Sequence, residues 1–150
     1  MNATTVWKTT EEIEELVDKF NNCTLPRGDW NHAAHLIVAL WYLINSPETE
    51  AINRIRNGIK KYNAANGIQN TENSGYHETM TLFWIKVVQQ YLLAASPRLP
   101  LVVIANDLIN TYNNSSLPFA YYSREKLMSV EARKNWVEPD PIKGGNNNEK

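Results

Sequence analysis

A chain of 150 residues with 43% hydrophobic and 21% charged residues has the composition of one soluble globular domain, large enough to bury a core. Its formal net charge of −1 gives no electrostatic reason to expect nucleic acid or an anionic membrane surface as a partner. A lone cysteine excludes an internal disulfide, and no apolar run is long enough to span a bilayer, so the sequence predicts a cytoplasmic protein.

Two helices are predicted in the first third of the chain. Thr9 and Glu12 have the spacing of a capping box, and apolar residues then recur at helical period, which predicts a first helix over residues 10–22. Asp29 is a suitable N-cap for a second helix over residues 30–45. Because this second helix is apolar on nearly every side, we expect it to be the central helix, although such a surface is also compatible with a homodimer interface.

Two further helices and a long connection complete the predicted core. Ser46 as N-cap and Pro47 as the first helical residue predict a third helix, which Asn66 and Gly67 are expected to end. Residues 66–75 have turn composition and are long for a connection between helices, a property that is typical of functional loops. Ser74 is the predicted N-cap of a fourth helix that runs to about residue 95.

The remaining residues predict shorter helices and a tail. A fifth helix is expected over residues 101–112, and Ser123 and Ser129 are candidate caps for two short helical pieces. The composition from residue 139 onward is typical of disorder, so we expect a single domain over 1–138 and a disordered tail over 139–150. The sequence thus predicts an all-α fold, an up-down four-helix-type bundle with one or more extra C-terminal helices.

All three histidines of the chain fall in two short stretches. His32 and His35 lie in W-N-H-A-A-H-L at residues 30–36, and His77 lies in G-Y-H-E-T at residues 75–79. In an up-down bundle the second and fourth helices begin at the same end, so we expect the three imidazole rings to converge there. Two helix N-termini at one site disfavour imidazolium, which predicts neutral rings near pH 7.

The first interpretation of this cluster is a mononuclear metal site. Neutral imidazole binds divalent zinc, iron, copper or nickel, and three nitrogen ligands leave positions open for water or substrate. His32, His35 and His77 are then the metal ligands, while Glu78 and Tyr76 are the candidate catalytic groups. This interpretation predicts a metal-dependent enzyme, hydrolytic or oxygen-handling, whose substrate the sequence does not identify.

Two other interpretations use the same histidines without such a centre. In one, the protein is a non-enzymatic small-molecule binder, in which Trp30, Tyr121 and Tyr122 line a pocket for an anionic ligand or for haem. In the other, the imidazoles are structural and donate hydrogen bonds to the carbonyl groups of loops, an arrangement that needs no ligand.

The two histidine stretches resemble the signature of a small bacterial family of uncharacterised all-helical proteins, a resemblance that implies the fold and no activity. The size, the helix count and the three-histidine set are also similar to those of DinB-like helical bundles, which hold a divalent metal with three histidines. In that family the histidine pair lies on the fourth helix, whereas here the pair comes early and the single histidine late. The paired Glu-x-x-His motifs of ferritin-like di-iron bundles do not occur in this sequence.

Overall fold

The computed structural model describes residues 7–95 and 98–140, so most of the predicted tail lies outside the described residues. Within those two ranges the chain forms seven α-helices and no strand, and the helices pack against one another. The helices are α1 (Thr10–Asn21), α2 (His32–Asn45), α3 (Glu48–Ala65), α4 (Glu78–Ala94), α5 (Leu101–Thr111), α6 (Arg124–Leu127) and α7 (Val130–Lys134). The predicted all-α bundle with extra C-terminal helices is confirmed.

The central helix of the bundle is α2, as its apolar composition predicts. It packs against α1, α3, α4 and α5, and residues 36–40 are all buried. Most of the apolar surface of α2 is therefore covered by other helices of the same chain, although Ile44 in its last turn is exposed. Across residues 7–95 and 98–140, no helix combines the length and the apolar composition that crossing a bilayer requires.

The first helix, α1, ends in a tight reversal that leads the chain towards α2. Thr9 caps its start by accepting a hydrogen bond from the Glu12 N–H, as predicted. At its other end Cys23 has a left-handed backbone with φ of 63°, and the N–H groups of Cys23 and Thr24 donate to carbonyls of the last helical turn. Cys23 therefore occupies the position that glycine usually takes in this reversal.

The predicted start of the second helix is wrong. α2 begins at His32 because Arg27–Asp29 form a separate 3-10 turn, which removes Asp29 from the cap position. The side chain of Asn31 takes the cap instead and accepts a hydrogen bond of 2.9 Å from the Ala34 N–H. The first histidine of the pair is consequently the first residue of the helix.

The predicted cap of the fourth helix is wrong as well. α4 begins at Glu78, and its N-cap is His77 instead of Ser74. The ring nitrogen Nδ1 of His77 accepts a hydrogen bond of 3.1 Å from the Met80 N–H, the bond that a serine or aspartate usually makes. The Ser74 hydroxyl donates to the Gln69 carbonyl at 2.9 Å, within the preceding loop. A candidate metal ligand is thus part of the start of a helix.

The C-terminal helices dock on α4. The two short helices α6 and α7 pack together, α7 packs against α4, and Ser123 and Ser129 cap them as predicted. On α4 the fully buried Thr79 hydroxyl donates to the Asn135 carbonyl at 2.7 Å and accepts from the Val137 N–H at 3.1 Å. The first turn of α4 therefore carries the contacts that fix the C-terminal segment.

Candidate functional site

A cavity of about 470 Å³ lies between α2, α3 and α4. His32, His35 and His77 all line it, together with Trp30 and Tyr76. Its other walls are mainly apolar and include Ala39, Ile55, Ile59, Ile68, Met80, Trp84 and Ile85. No aspartate, glutamate, lysine or arginine belongs to the lining that the described residues form. All three histidines therefore line one cavity, but among the described residues they do not form a group placed to share a metal ion.

The ring of His35 has one free nitrogen. Its Nδ1 lies 2.7 Å from the Asn31 carbonyl, and because a carbonyl only accepts, Nδ1–H is the donor. The ring stacks on the Trp30 indole with their centroids 3.7 Å apart. Burial is the main reason why the pKa of His35 is lowered to about 4. The hydrogen bond to the Asn31 carbonyl raises the pKa and the nearby His32 lowers it. Near pH 7 the ring is neutral, and no described residue donates a hydrogen bond to its Nε2.

The ring of His32 ties the start of α2 to the end of α5. Its Nε2–H donates to the Tyr112 carbonyl at 2.8 Å, since that oxygen only accepts. The edge of the ring meets the Trp84 indole, with centroids 4.5 Å apart. His32 thus serves as a structural link between helices while it lines the cavity.

The ring of His77 has both nitrogens engaged. Nδ1 accepts the capping bond from Met80, so Nε2 carries the proton and donates to the Leu127 carbonyl at 2.7 Å. Burial lowers the pKa of His77; the Leu127 carbonyl opposes this effect and Arg133 adds to it. The ring is buried, and its neutral form satisfies both of its neighbours. A metal could bind at His77 only if one of these two bonds broke.

The described residues do not offer a ready metal site. Across residues 7–95 and 98–140, no group of three or more histidine, cysteine, aspartate or glutamate side chains is placed to share a metal ion. His77 has no lone pair available, and Nε2 of His32 is already bonded to a carbonyl. The three-histidine centre for zinc, iron, copper or nickel remains a prediction that this arrangement does not support.

Glu78 and Tyr76, the candidate catalytic groups, bond to each other and to Arg56. The Arg56 guanidinium donates to both carboxylate oxygens of Glu78, at 3.0 and 2.7 Å, and the Tyr76 hydroxyl donates to Oε1 at 2.6 Å. Burial raises the pKa of Glu78, but the bonds from Arg56 and Tyr76 outweigh it and leave the pKa below its usual range. Burial and the bond to Glu78 raise the pKa of Tyr76. Neither group is tuned to exchange protons near pH 7.

Glu78 faces a second cavity of about 440 Å³, which Tyr76 separates from the first. This second cavity has a mixed lining, with the cations Lys60, Arg133 and Lys134 opposite the carboxylates of Glu72 and Glu78. Arg133 donates to the carbonyls of Glu72 and Gly75, so it holds the loop that precedes α4. Glu78 does not line the histidine cavity.

The three candidate aromatic residues for ligand binding lie in different places. Trp30 forms a wall of the histidine cavity, stacked between His35 and Phe20. Tyr121 is half exposed, and Tyr122 is fully buried with its hydroxyl donating to the Val137 carbonyl at 2.7 Å. Neither tyrosine lines the cavity, because both belong to the segment that docks on the outer side of α4.

Sequence reasoning missed Asn63. This residue is 8% exposed, lines the cavity from α3, and its carboxamide has no hydrogen-bond partner among the described residues. A signal was present in the sequence, because Asn63 follows Ile55 and Ile59 at intervals of four and so falls on the inner face of the helix. A polar residue in an apolar stripe is the feature that marks it.

Comparison with known proteins gives no match to a family model, to a curated protein or to a solved structure. The resemblance to DinB-like bundles and to the small bacterial family therefore stays a prediction from the two histidine stretches. The cavity and the groups that line it are the features of this structure that bear on function.

Proposed function

We propose that this protein is a non-enzymatic binding protein for a small, uncharged, largely apolar organic molecule, which it holds in the histidine cavity. The observation that carries this proposal is the cavity itself, with a volume of about 470 Å³ and aromatic walls from Trp30 and Trp84. Ligand pockets commonly have volumes of roughly 300–1,000 Å³ and an apolar lining with a few polar groups. The lone cysteine favours a cytoplasmic location, as predicted from the sequence, and a small-molecule binding protein is consistent with that location.

The lining favours a neutral ligand over an anionic one. A buried charge needs a partner of opposite sign, and the described residues that line this cavity include no lysine or arginine. His35 does not supply the charge, because burial keeps its pKa near 4. The same consideration disfavours haem, whose propionate groups are anionic.

The polar groups of the cavity are better suited to ligand binding than to catalysis. Nε2 of His35 is a hydrogen-bond acceptor fixed in place by the Asn31 carbonyl on one side and the Trp30 ring on the other. His77 is occupied by its two backbone partners, and Glu78 by Arg56 and Tyr76. The cavity thus presents a fixed acceptor to a ligand, without an acid or base poised to act on it.

A neutral fluorescent probe and a pair of serine variants test this proposal. Ser115 is an exposed member of the lining, whereas the neighbouring exposed Ser116 is not part of it. We expect N-phenyl-1-naphthylamine to gain fluorescence on binding, Ser115→Phe to weaken its binding by about tenfold, and Ser116→Phe to change it less than about twofold.

Two outcomes would contradict the proposal. One is a probe whose emission does not change with saturating protein, although the protein is folded by circular dichroism. The other is an equal loss of binding in both serine variants, which would place the probe on the surface instead of in the cavity.

A further inference from the structure

Among the buried polar side chains of the described residues, that of Asn63 makes no hydrogen bond with the protein. Three polar residues are buried in the described part of the chain, namely Asn63, His77 and Thr79. His77 and Thr79 each make two hydrogen bonds to the backbone. The Asn63 carboxamide makes none with any described residue, although its backbone carbonyl accepts from the Ile68 and Asn66 N–H groups.

Among the described residues, no hydrogen bond offsets the cost of burying this amide. Burying a carboxamide without a partner costs free energy, and an apolar side chain of similar size at this position would avoid the cost. The neighbours on the same face of α3, Ile55 and Ile59, are apolar and line the same cavity. A molecule in the cavity with its own hydrogen-bonding groups would pair with this amide.

The chemistry of Asn63 and His35 specifies that partner. A carboxamide has two N–H donors and one C=O acceptor in a single plane, and the C=O with the N–H on its own side is the complement of an adjacent N–H and C=O on a ring. Nε2 of His35, on the facing helix, is free to accept a hydrogen bond from a ligand. Both faces of the Trp30 indole are covered by His35 and Phe20, so a ligand meets its edge, and this edge together with the Trp84 indole favours a flat ring.

We infer that the ligand is a planar, uncharged heterocycle with a lactam edge, whose adjacent N–H and C=O groups pair with the carboxamide of Asn63. This inference rests on the proposed function, because it names the class of molecule that enters the same cavity. Asn63 is then a specificity-determining residue, which distinguishes a lactam from an apolar ring of the same shape.

A matched pair of ligands and one substitution test the inference. The probes are 2-quinolone, which has the lactam edge, and 1-methyl-2-quinolone, whose methyl group replaces the N–H. By isothermal titration calorimetry we expect the wild-type protein to bind 2-quinolone about tenfold more tightly than the methylated compound. In Asn63→Leu the two compounds should bind within about twofold of each other. Without ligand, this variant should unfold at the same or a higher urea concentration than the wild type.

The outcomes separate this inference from the proposed function. Equal binding of both quinolones to the wild type, or a preference that survives in Asn63→Leu, overturns the pairing with Asn63. The inference is also overturned if Asn63→Leu unfolds at a lower urea concentration than the wild type and Asn63→Ala is destabilised to the same extent. The amide would then have a partner within the protein. If neither quinolone binds but N-phenyl-1-naphthylamine does, the lactam class is wrong and the binding function stands. If none of the three compounds binds, the proposed function fails.

Discussion

Replacing His77 by alanine should lower the free energy of unfolding by about 3 kcal/mol. The variant loses the cap that Nδ1 provides to the Met80 N–H and leaves the Leu127 carbonyl without the donor that it has at 2.7 Å. It also removes a buried ring from the contact between α4 and the C-terminal segment. Urea unfolding of protein treated with EDTA measures the effect in the absence of any metal.

His77→Asn is the matched control for that substitution. Asparagine is a good N-cap and restores an acceptor for the Met80 N–H, but its shorter side chain does not reach the Leu127 carbonyl. We expect this variant to lose roughly half as much stability as His77→Ala. If His77→Ala is as stable as the wild type in EDTA, the ring does not have the structural role assigned to it.

Acid should destabilise the protein through His35. Burial lowers the pKa of His35 from its ordinary value of 6.5 to about 4, so between these values the unfolded chain binds a proton that the folded protein does not. The stability that this ring contributes is therefore complete above about pH 6.5 and is lost as the pH falls towards 4. Because the ring is partly exposed to the cavity, we expect a loss of about 1–2 kcal/mol between about pH 7.5 and pH 5.

The substitution His35→Phe isolates this contribution. Phenylalanine keeps an aromatic ring against Trp30 and does not titrate, while His77 and Glu78, whose pKa values also lie below their usual ranges, are common to both proteins. Between about pH 7.5 and pH 5, the unfolding free energy of the variant should fall by about 1–2 kcal/mol less than that of the wild type. An equal pH dependence of variant and wild type would mean that folding leaves the pKa of His35 unchanged, and would contradict the burial assigned to this ring.

The helices, and the position of all three histidines along one cavity, were predictable from the sequence. Helical period fixed the approximate extent of each long helix, and the apolar composition of α2 identified it as the centre of the bundle. Since α2 and α4 begin at the same end, short sequence stretches around His32 and His77 were enough to predict that both would line one site.

The hydrogen-bond partners of the His32 and His77 imidazole rings were not predictable, because they come from remote parts of the chain. The carbonyl that accepts from His32 belongs to Tyr112, 80 residues away, and the one that accepts from His77 belongs to Leu127, 50 residues away. A local pattern carries no information about such contacts. The caps were misplaced for a related reason, since several suitable polar residues precede each helix and only the path of the chain selects one.

The stretch at residues 75–79 shows how a dense polar motif can be structural. Its glycine has φ of 89°, and a side chain there would bring a Cβ within 2.8 Å of the Asn70 Cα atom. The four residues after it pair with one another, with Arg56 or with the docked C-terminal segment. These contacts account for the motif without a catalytic role, and they leave His35 and Asn63 among the polar groups of the cavity that can meet a ligand.

Nitrogen-15 NMR of the three imidazole rings, in protein purified without a metal-affinity tag, tests the central claim most directly. We predict that near pH 7 His35 is neutral with its proton on Nδ1, that His77 is neutral with its proton on Nε2, and that one equivalent of Zn²⁺ leaves both rings unchanged. Stoichiometric zinc that shifts the ring nitrogens of His32, His35 and His77 together would contradict this prediction and establish the three-histidine metal centre instead.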